Sequence, residues 1–280
     1  MLPNLRAYHR PESLEEAVRL IRPPAVVPLG GGTILLPTRD PAVEEVVDLS
    51  RLGLTYIRAG EGGIHIGATT PLQHLLESPL LADRTDGHMG PVIRLTASRN
   101  LRGQATVGGT VAAGGPENPL LVLLLALDAR LTVYQPEPSY IPLEGFLEGR
   151  DDLLQQGALI TELFIPSPSG RIGFAHVGRT PRDRPIICAA AYGEVEGGIC
   201  REVRLALGGV ARHPLRARDG EGFLRGRPPT PENIQEAADR VAFSLHPPGD
   251  FRGSREYRRA MAGVLAQRAL SQAAGLAPAP

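Results

Sequence analysis

The chain contains no lysine: each of the 30 basic residues among its 280 is an arginine. That absence removes the phosphate lysine of a P-loop NTPase, the Schiff-base lysine of a pyridoxal-phosphate enzyme and the strand lysine of a protein kinase. Cysteine is nearly missing as well. Cys188 and Cys200 are the two in the sequence, too few for an iron-sulfur cluster, which takes four thiolates, or for a disulfide framework. An excess of one charge is lacking too, because 30 acidic residues balance the arginines to a net charge of +0. No overall field gathers phosphate backbones or anionic lipid, and nucleic-acid binding is not expected. The longest apolar run, Leu120 to Leu127, is far too short to span a bilayer, and Met1 to Arg10 has no signal-type apolar core. A soluble, cytoplasmic protein without a membrane span is the expectation.

What is present patterns as mixed helix and strand. Leu14, Ala17, Val18 and Ile21 share one helical face over Ser13 to Ile21, with Ser13 as N-cap and Glu16 as its box partner. Ala25 to Leu29, Val43 to Leu49, Gly63 to Ala68, Arg130 to Tyr134 and Leu159 to Ile165 read as strands. Thr70 to Leu80 reads as a helix with Thr70 as cap and Pro71 at its first position, and Leu120 to Asp128 as a buried helix. Pro166 to Gly170 is the strongest linker signal. Beyond it, Ile186 to Val195 and Cys200 to Leu207 form a strand pair about the Glu196-Gly197-Gly198 turn, before helices at Pro231 to Ala242 and Ser254 to Ala274. Without regular βαβ repetition the class is α+β. Arg252, Arg255, Arg258 and Arg259 read as a solvated or subunit-contact basic face.

Two glycine segments carry the chemical signal: Gly30-Gly31-Gly32-Thr33 and Thr106-Val107-Gly108-Gly109-Thr110. Glycine runs let consecutive amides curl towards an anion, and neighbouring threonines add donors, so both suit a pyrophosphate or serve as tight turns. Neither is the G-x-G-x-x-G or G-x-x-x-x-G-K-S/T fingerprint. The seven histidines show no H-x-H or H-E-x-x-H spacing, and there is no G-x-S-x-G elbow, so neither a metal site nor a serine nucleophile is expected.

Taken in order, Tyr8 to Leu20, Val27 to Pro37, Ile66 to Leu76, Gln104 to Leu131, Leu205 to Ala217 and Asp250 to Leu270 resemble the FAD-binding medium subunit of the molybdenum hydroxylases. This is the xanthine dehydrogenase and carbon monoxide dehydrogenase family. The resemblance implies a two-subdomain, PCMH-type FAD-binding domain over residues 1–168, split near residue 52, then a smaller α+β C-terminal domain over 169–280. It places Pro28, Leu29, Gly30, Gly31, Gly32, Thr33, Ile34 and Leu35 in a first pyrophosphate loop and Thr106, Val107, Gly108, Gly109 and Thr110 in a second. Ile160 matches an apolar position near the flavin ring, and His176 one where lysine is frequent. Three positions depart from the pattern: Ile34 stands for an acidic residue, Thr110 for asparagine, and Pro119, beside Asn118, for a flavin-contacting aspartate.

No catalytic acid or base is implied. The resemblance implies an electron-transfer subunit whose partners are a molybdopterin-binding large subunit and a [2Fe-2S] small subunit, with NAD or a quinone as acceptor. The alternatives are a flavin-poor docking subunit of the same kind of complex and a free-standing flavin oxidase.

Overall fold

The computed structural model describes residues 2–180 and 183–276. Met1 and residues 277–280, the outer ends of the two expected domains, lie outside the described residues. By packing, the chain divides into two compact units. The first comprises Met1–Ser78, Ala97–Gly114 and Ala129–Pro166, and the second Pro79–Thr96, Gly115–Asp128 and Ser167–Pro280.

The first unit holds two sheets. Strands β1 (Ala7–His9), β2 (Val26–Leu29) and β3 (Glu45–Asp48) form a small parallel sheet in the order β1-β3-β2. Helix Leu14–Leu20 covers it, and Ala17 and Val18 pack with Val26, Val47 and Leu159. Ser13 caps that helix by accepting from the Glu16 amide, and the Glu16 carboxylate accepts from the Glu12 amide, one residue before the box position. The second sheet is antiparallel, with order β4-β5-β8-β6-β7 from β4 (Ile57–Gly60), β5 (Gly63–Gly67), β6 (Arg130–Tyr134), β7 (Pro138–Pro142) and β8 (Leu159–Pro166). Pro166, expected in the linker, closes β8.

The expected helix from Thr70 to Leu80 is shorter and differently capped. It spans Leu72–Glu77 with Pro71 as N-cap, and the Thr70 hydroxyl is engaged instead with the backbone of Tyr56. The chain breaks at Ser78 because Pro79 forces the residue before it out of the helical region, and a new helix, Pro79–Arg84, begins in the second unit.

In the second unit, β9 (Arg171–Val177), β10 (Ile187–Glu196), β11 (Ile199–Gly208) and β12 (Leu215–Arg216) form an antiparallel sheet in the order β12-β11-β10-β9. The β10–β11 hairpin turns through Gly197 and Gly198, both at positive φ as a two-residue primed turn requires. Helices Pro231–Ser244 and Arg255–Ala273 cover one face through Ala237, Val241, Leu265 and Ala269. Helix Pro119–Ala126 is buried at every residue, as its uniformly apolar sequence demands.

Of the four arginines expected to form a solvated or subunit-contact basic face near the last helix, Arg255 is exposed, while Arg252, Arg258 and Arg259 turn to internal partners. Arg258 is 5% exposed and donates to the carbonyls of Ile186 and Gly209 while pairing with Asp250 at 2.7 Å. Arg259 donates to the carbonyls of Ala242 and Phe243, and Arg252 pairs with Glu117 and donates to the carbonyls of Arg184 and Pro185. These guanidiniums satisfy backbone acceptors distant in sequence, which a linear reading does not display.

Candidate functional site

The two glycine segments meet. At the end of β2 the chain turns through Gly30 to Gly32, with Gly32 at φ +69°, into the short helix Leu35–Thr38. A Cβ on Gly31 would stand 1.7 Å from the Gln104 carbonyl oxygen, and one on Gly30 would stand 2.7 Å from the Thr106 hydroxyl. Only glycine permits this approach, so the first run is needed to bring the two segments together as well as to turn.

Their amides are used differently. From Gly30 to Ile34 no amide donates to an acceptor among the described residues; the next bond is Leu36 N–H to the Gly32 carbonyl. The second segment is a helix start and not an open loop: Thr106 is the N-cap of Val107–Ala113. Val107 and Gly108 donate to the carbonyls of Thr70 and Ala68, Gly109 to the Thr106 hydroxyl, and Thr110 to the Thr106 carbonyl. The Thr110 hydroxyl also donates to that carbonyl. From Val107 to Thr110 every amide is thus already engaged.

A cavity of about 770 Å³ opens on these residues, within the range of small-molecule sites. Pro28 to Leu35 line it, with Thr106, Gly109 and Thr110 opposite. An adjoining pocket of about 70 Å³ is lined by Gly108 and Ile160 among others. The remaining wall, which was not legible in the sequence, includes Ile21, Pro23, Pro24, Val26, Val27, Thr38, Ala112, Ala113, Leu154, Gln155 and Ala158. No lining residue carries a charge. Of the other expected positions, Val107 is fully buried, Asn118 caps the helix Pro119–Ala126 by accepting from the amides of Leu120 and Leu121, and His176 stands on β9 of the second unit. Burial pushes the His176 imidazole down, so it is neutral near pH 7. Its ring stacks on Phe174 at 5.8 Å.

A β-bulge aims Ile160. On β8, Glu162 pairs with Thr132 and Ile160 with Val133, so Thr161 is the extra residue. The insertion reverses the alternation and puts Ile160 on the buried side with Val133, against the pocket. The Thr161 hydroxyl holds the bulge by donating to the Thr132 carbonyl.

Residues 3–168 match the model of the FAD binding domain in molybdopterin dehydrogenase, and residues 173–273 that of the CO dehydrogenase flavoprotein C-terminal domain. Among curated proteins, the carbon monoxide dehydrogenase medium chain of Hydrogenophaga pseudoflava is 31% identical over 283 residues, covering 98% of both chains. That of Afipia carboxidovorans is 32% identical over 287 residues, again covering 98% of each. The solved carbon monoxide dehydrogenase from Hydrogenophaga pseudoflava superposes with a TM-score of 0.90 at 31% identity over 98% of both chains. With both family models matched in order along nearly the whole chain, the protein belongs to the family of FAD-binding medium subunits of the molybdenum hydroxylases.

Proposed function

We propose that this chain holds FAD in the cavity at Gly30 to Thr33 and acts as the flavin electron-transfer subunit of a molybdenum hydroxylase. Electrons arrive from the iron-sulfur clusters of a small subunit, a molybdopterin-binding large subunit oxidises the substrate, and NAD or a quinone is the acceptor, in a cytoplasmic setting. Residues 1–168 form the cofactor domain, with its internal division near residue 52, and residues 169–280 the C-terminal domain.

One observation carries the reading: the segment from Gly30 to Ile34, whose amides have no acceptor among the described residues, lines a cavity free of acidic side chains. The residues present fit a dinucleotide. Backbone donors suit a diphosphate, and no carboxylate opposes it. The apolar walls from Pro23, Pro24, Leu154 and Ile160 suit flat rings. Bound FAD would supply a ring that takes electrons singly and yields them singly or in pairs.

The chain's own part is binding and orientation. Gly30, Gly31, Gly32, Thr33 and Ile34 would donate to the diphosphate. Pro28, Leu29 and Leu35 would wall it, and Gly108, Gly109 and Thr110 would close the far side without spending their amides. Ile160 would pack against the ring. Asn118 and His176 are assigned to the cofactor on the resemblance alone. For His176 the test is a His176→Ala variant, and an unchanged flavin potential removes it from the site.

The direct experiment is an absorbance spectrum of the purified chain with added FAD, then with dithionite. Bands at about 375 and about 450 nm that bleach, at about one FAD per chain, support the reading. A chain that ignores saturating FAD overturns it in favour of a flavin-poor docking subunit. Reoxidation of the dithionite-reduced complex by NAD or by a quinone analogue identifies the acceptor.

A further inference from the structure

On the side of β4, β5 and β8 opposite Ile160, three side chains converge on one carboxylate. Glu162 accepts from the Tyr56 hydroxyl at 2.8 Å, from His65 Nδ1 at 2.8 Å and from Arg58 at 3.3 Å. The Arg58 guanidinium also lies over the Tyr56 ring at 4.8 Å. Burial alone would push the Glu162 carboxyl up, but the hydrogen bonds from His65 and Tyr56 outweigh it and hold the pKa below the usual carboxylate range. Glu162 is therefore ionised, which makes His65 Nδ1–H the donor. Tyr56 is correspondingly pushed up to about 12, by burial first and then by its bond to Glu162.

Glu162 directly follows the bulged Thr161, and two hydrogen-bonded paths run from it to the cavity wall. Along the first, the Thr161 carbonyl accepts from the Ala68 amide, and the Ala68 carbonyl accepts from Gly108. Along the second, Tyr56 exchanges backbone hydrogen bonds with the Thr70 hydroxyl, and the Thr70 carbonyl accepts from Val107. The clamp thus fixes the strand register that turns Ile160 inwards and the strand end on which the helix start at Thr106 is seated.

We infer that Glu162, held by Tyr56, His65 and Arg58, is a positioning residue for the flavin, acting through Ile160 and never touching the cofactor. The inference rests on the FAD reading above. Coupled polar networks of this kind lose more than one bond's worth when their central acceptor is removed.

The test uses the full chain in five forms: wild type, Glu162→Gln, Glu162→Ala, Ile160→Ala and the Glu162→Ala/Ile160→Ala double variant. FAD affinity is measured by flavin fluorescence, and the visible circular dichroism of bound flavin at saturating FAD. Glu162→Ala should weaken FAD by about tenfold and alter the flavin dichroism as Ile160→Ala does, with the double variant no weaker than either single one by more than about twofold. Glu162→Gln keeps an acceptor for Tyr56 and should fall between, so a failure of the alanine variant to fold leaves the assay intact. Additive losses, or a lowered Tm with unchanged affinity and dichroism, overturn the positioning role. A wild-type chain that does not bind FAD fails the FAD reading itself, whereas a wild type that binds FAD beside an Ile160→Ala variant without effect overturns the positioning role alone.

Discussion

Replacing Gly31 by alanine is the sharpest probe of the cradle. The new Cβ would start 1.7 Å from the Gln104 carbonyl oxygen and must retreat to at least 3.0 Å. Both sides of the contact are backbone, so no rotamer relieves it, and the segment from Gly30 to Ile34 has to move away from Gln104 to Thr106. Overpacking of this kind costs about 3 kcal/mol at the upper end of its usual range, and if the cradle bears that cost on binding, FAD weakens roughly a hundredfold. The control is Gly103→Ala. Gly103 has helical φ and ψ of −67° and −20°, and its Cβ would meet nothing closer than 3.8 Å, so affinity should stay within about twofold and stability be unchanged or slightly improved. Titration of the flavin-free chains with FAD, read by fluorescence quenching, compares them. A folded Gly31→Ala protein that binds FAD within about threefold of wild type would refute the reasoning.

Gly108→Ala places its Cβ 2.8 Å from both the Cβ and the carbonyl oxygen of Ala68. It should lower stability by about 1–3 kcal/mol in urea unfolding, while FAD affinity of the folded protein changes far less than in Gly31→Ala, because the Gly108 amide is already engaged. Thr106→Val removes the acceptor of the Gly109 amide and should cost about 1 kcal/mol in the same assay. Cys188 is fully buried and its thiol is pushed well above the ordinary range by burial and then by Glu117. Iodoacetamide at pH 8 should therefore leave Cys188 unlabelled in the native chain and label it after denaturation, as mass spectrometry will show.

The parts of the fold that the sequence displayed are those where one local rule acts alone. Ser13 caps the helix that follows it, and the glycine pair at 197 and 198 turns the longest hairpin. Reading failed where two rules competed. At Thr70 a good capping residue precedes a proline, yet its hydroxyl is drawn to Tyr56 across the sheet and the cap passes to Pro71. At Arg258 the charge pattern resembles a solvated face, but unfilled carbonyls at Ile186 and Gly209 supply a better environment. The segments 79–96 and 115–128 pack with the C-terminal part, a long-range choice that no local signal announces.

The site shows the same limit in a form with a pH consequence. The two glycine runs look alike as words, and only the partners of their amides separate a cradle from a helix start. Glu162, too, reads in sequence as an ordinary strand residue two places after Ile160, and its importance comes from Tyr56 and His65, which lie far earlier in the chain. The sign of its contribution follows from the direction of its shift. Its folded pKa lies below the ordinary value of about 4.3, so the stabilisation is complete above that pH and is lost as pH falls through the folded value. Asp48 adds in the same sense: burial raises it, but the Ser50 amide and Tyr8 hydroxyl outweigh that and hold it low. Urea midpoints should therefore fall as pH drops below about 4.5, and the decline should be shallower in Glu162→Gln, which has no carboxylate to protonate. If the two proteins lose stability in parallel, the carboxylate is not held by its three partners in solution, and the clamp on the bulge has no energetic basis.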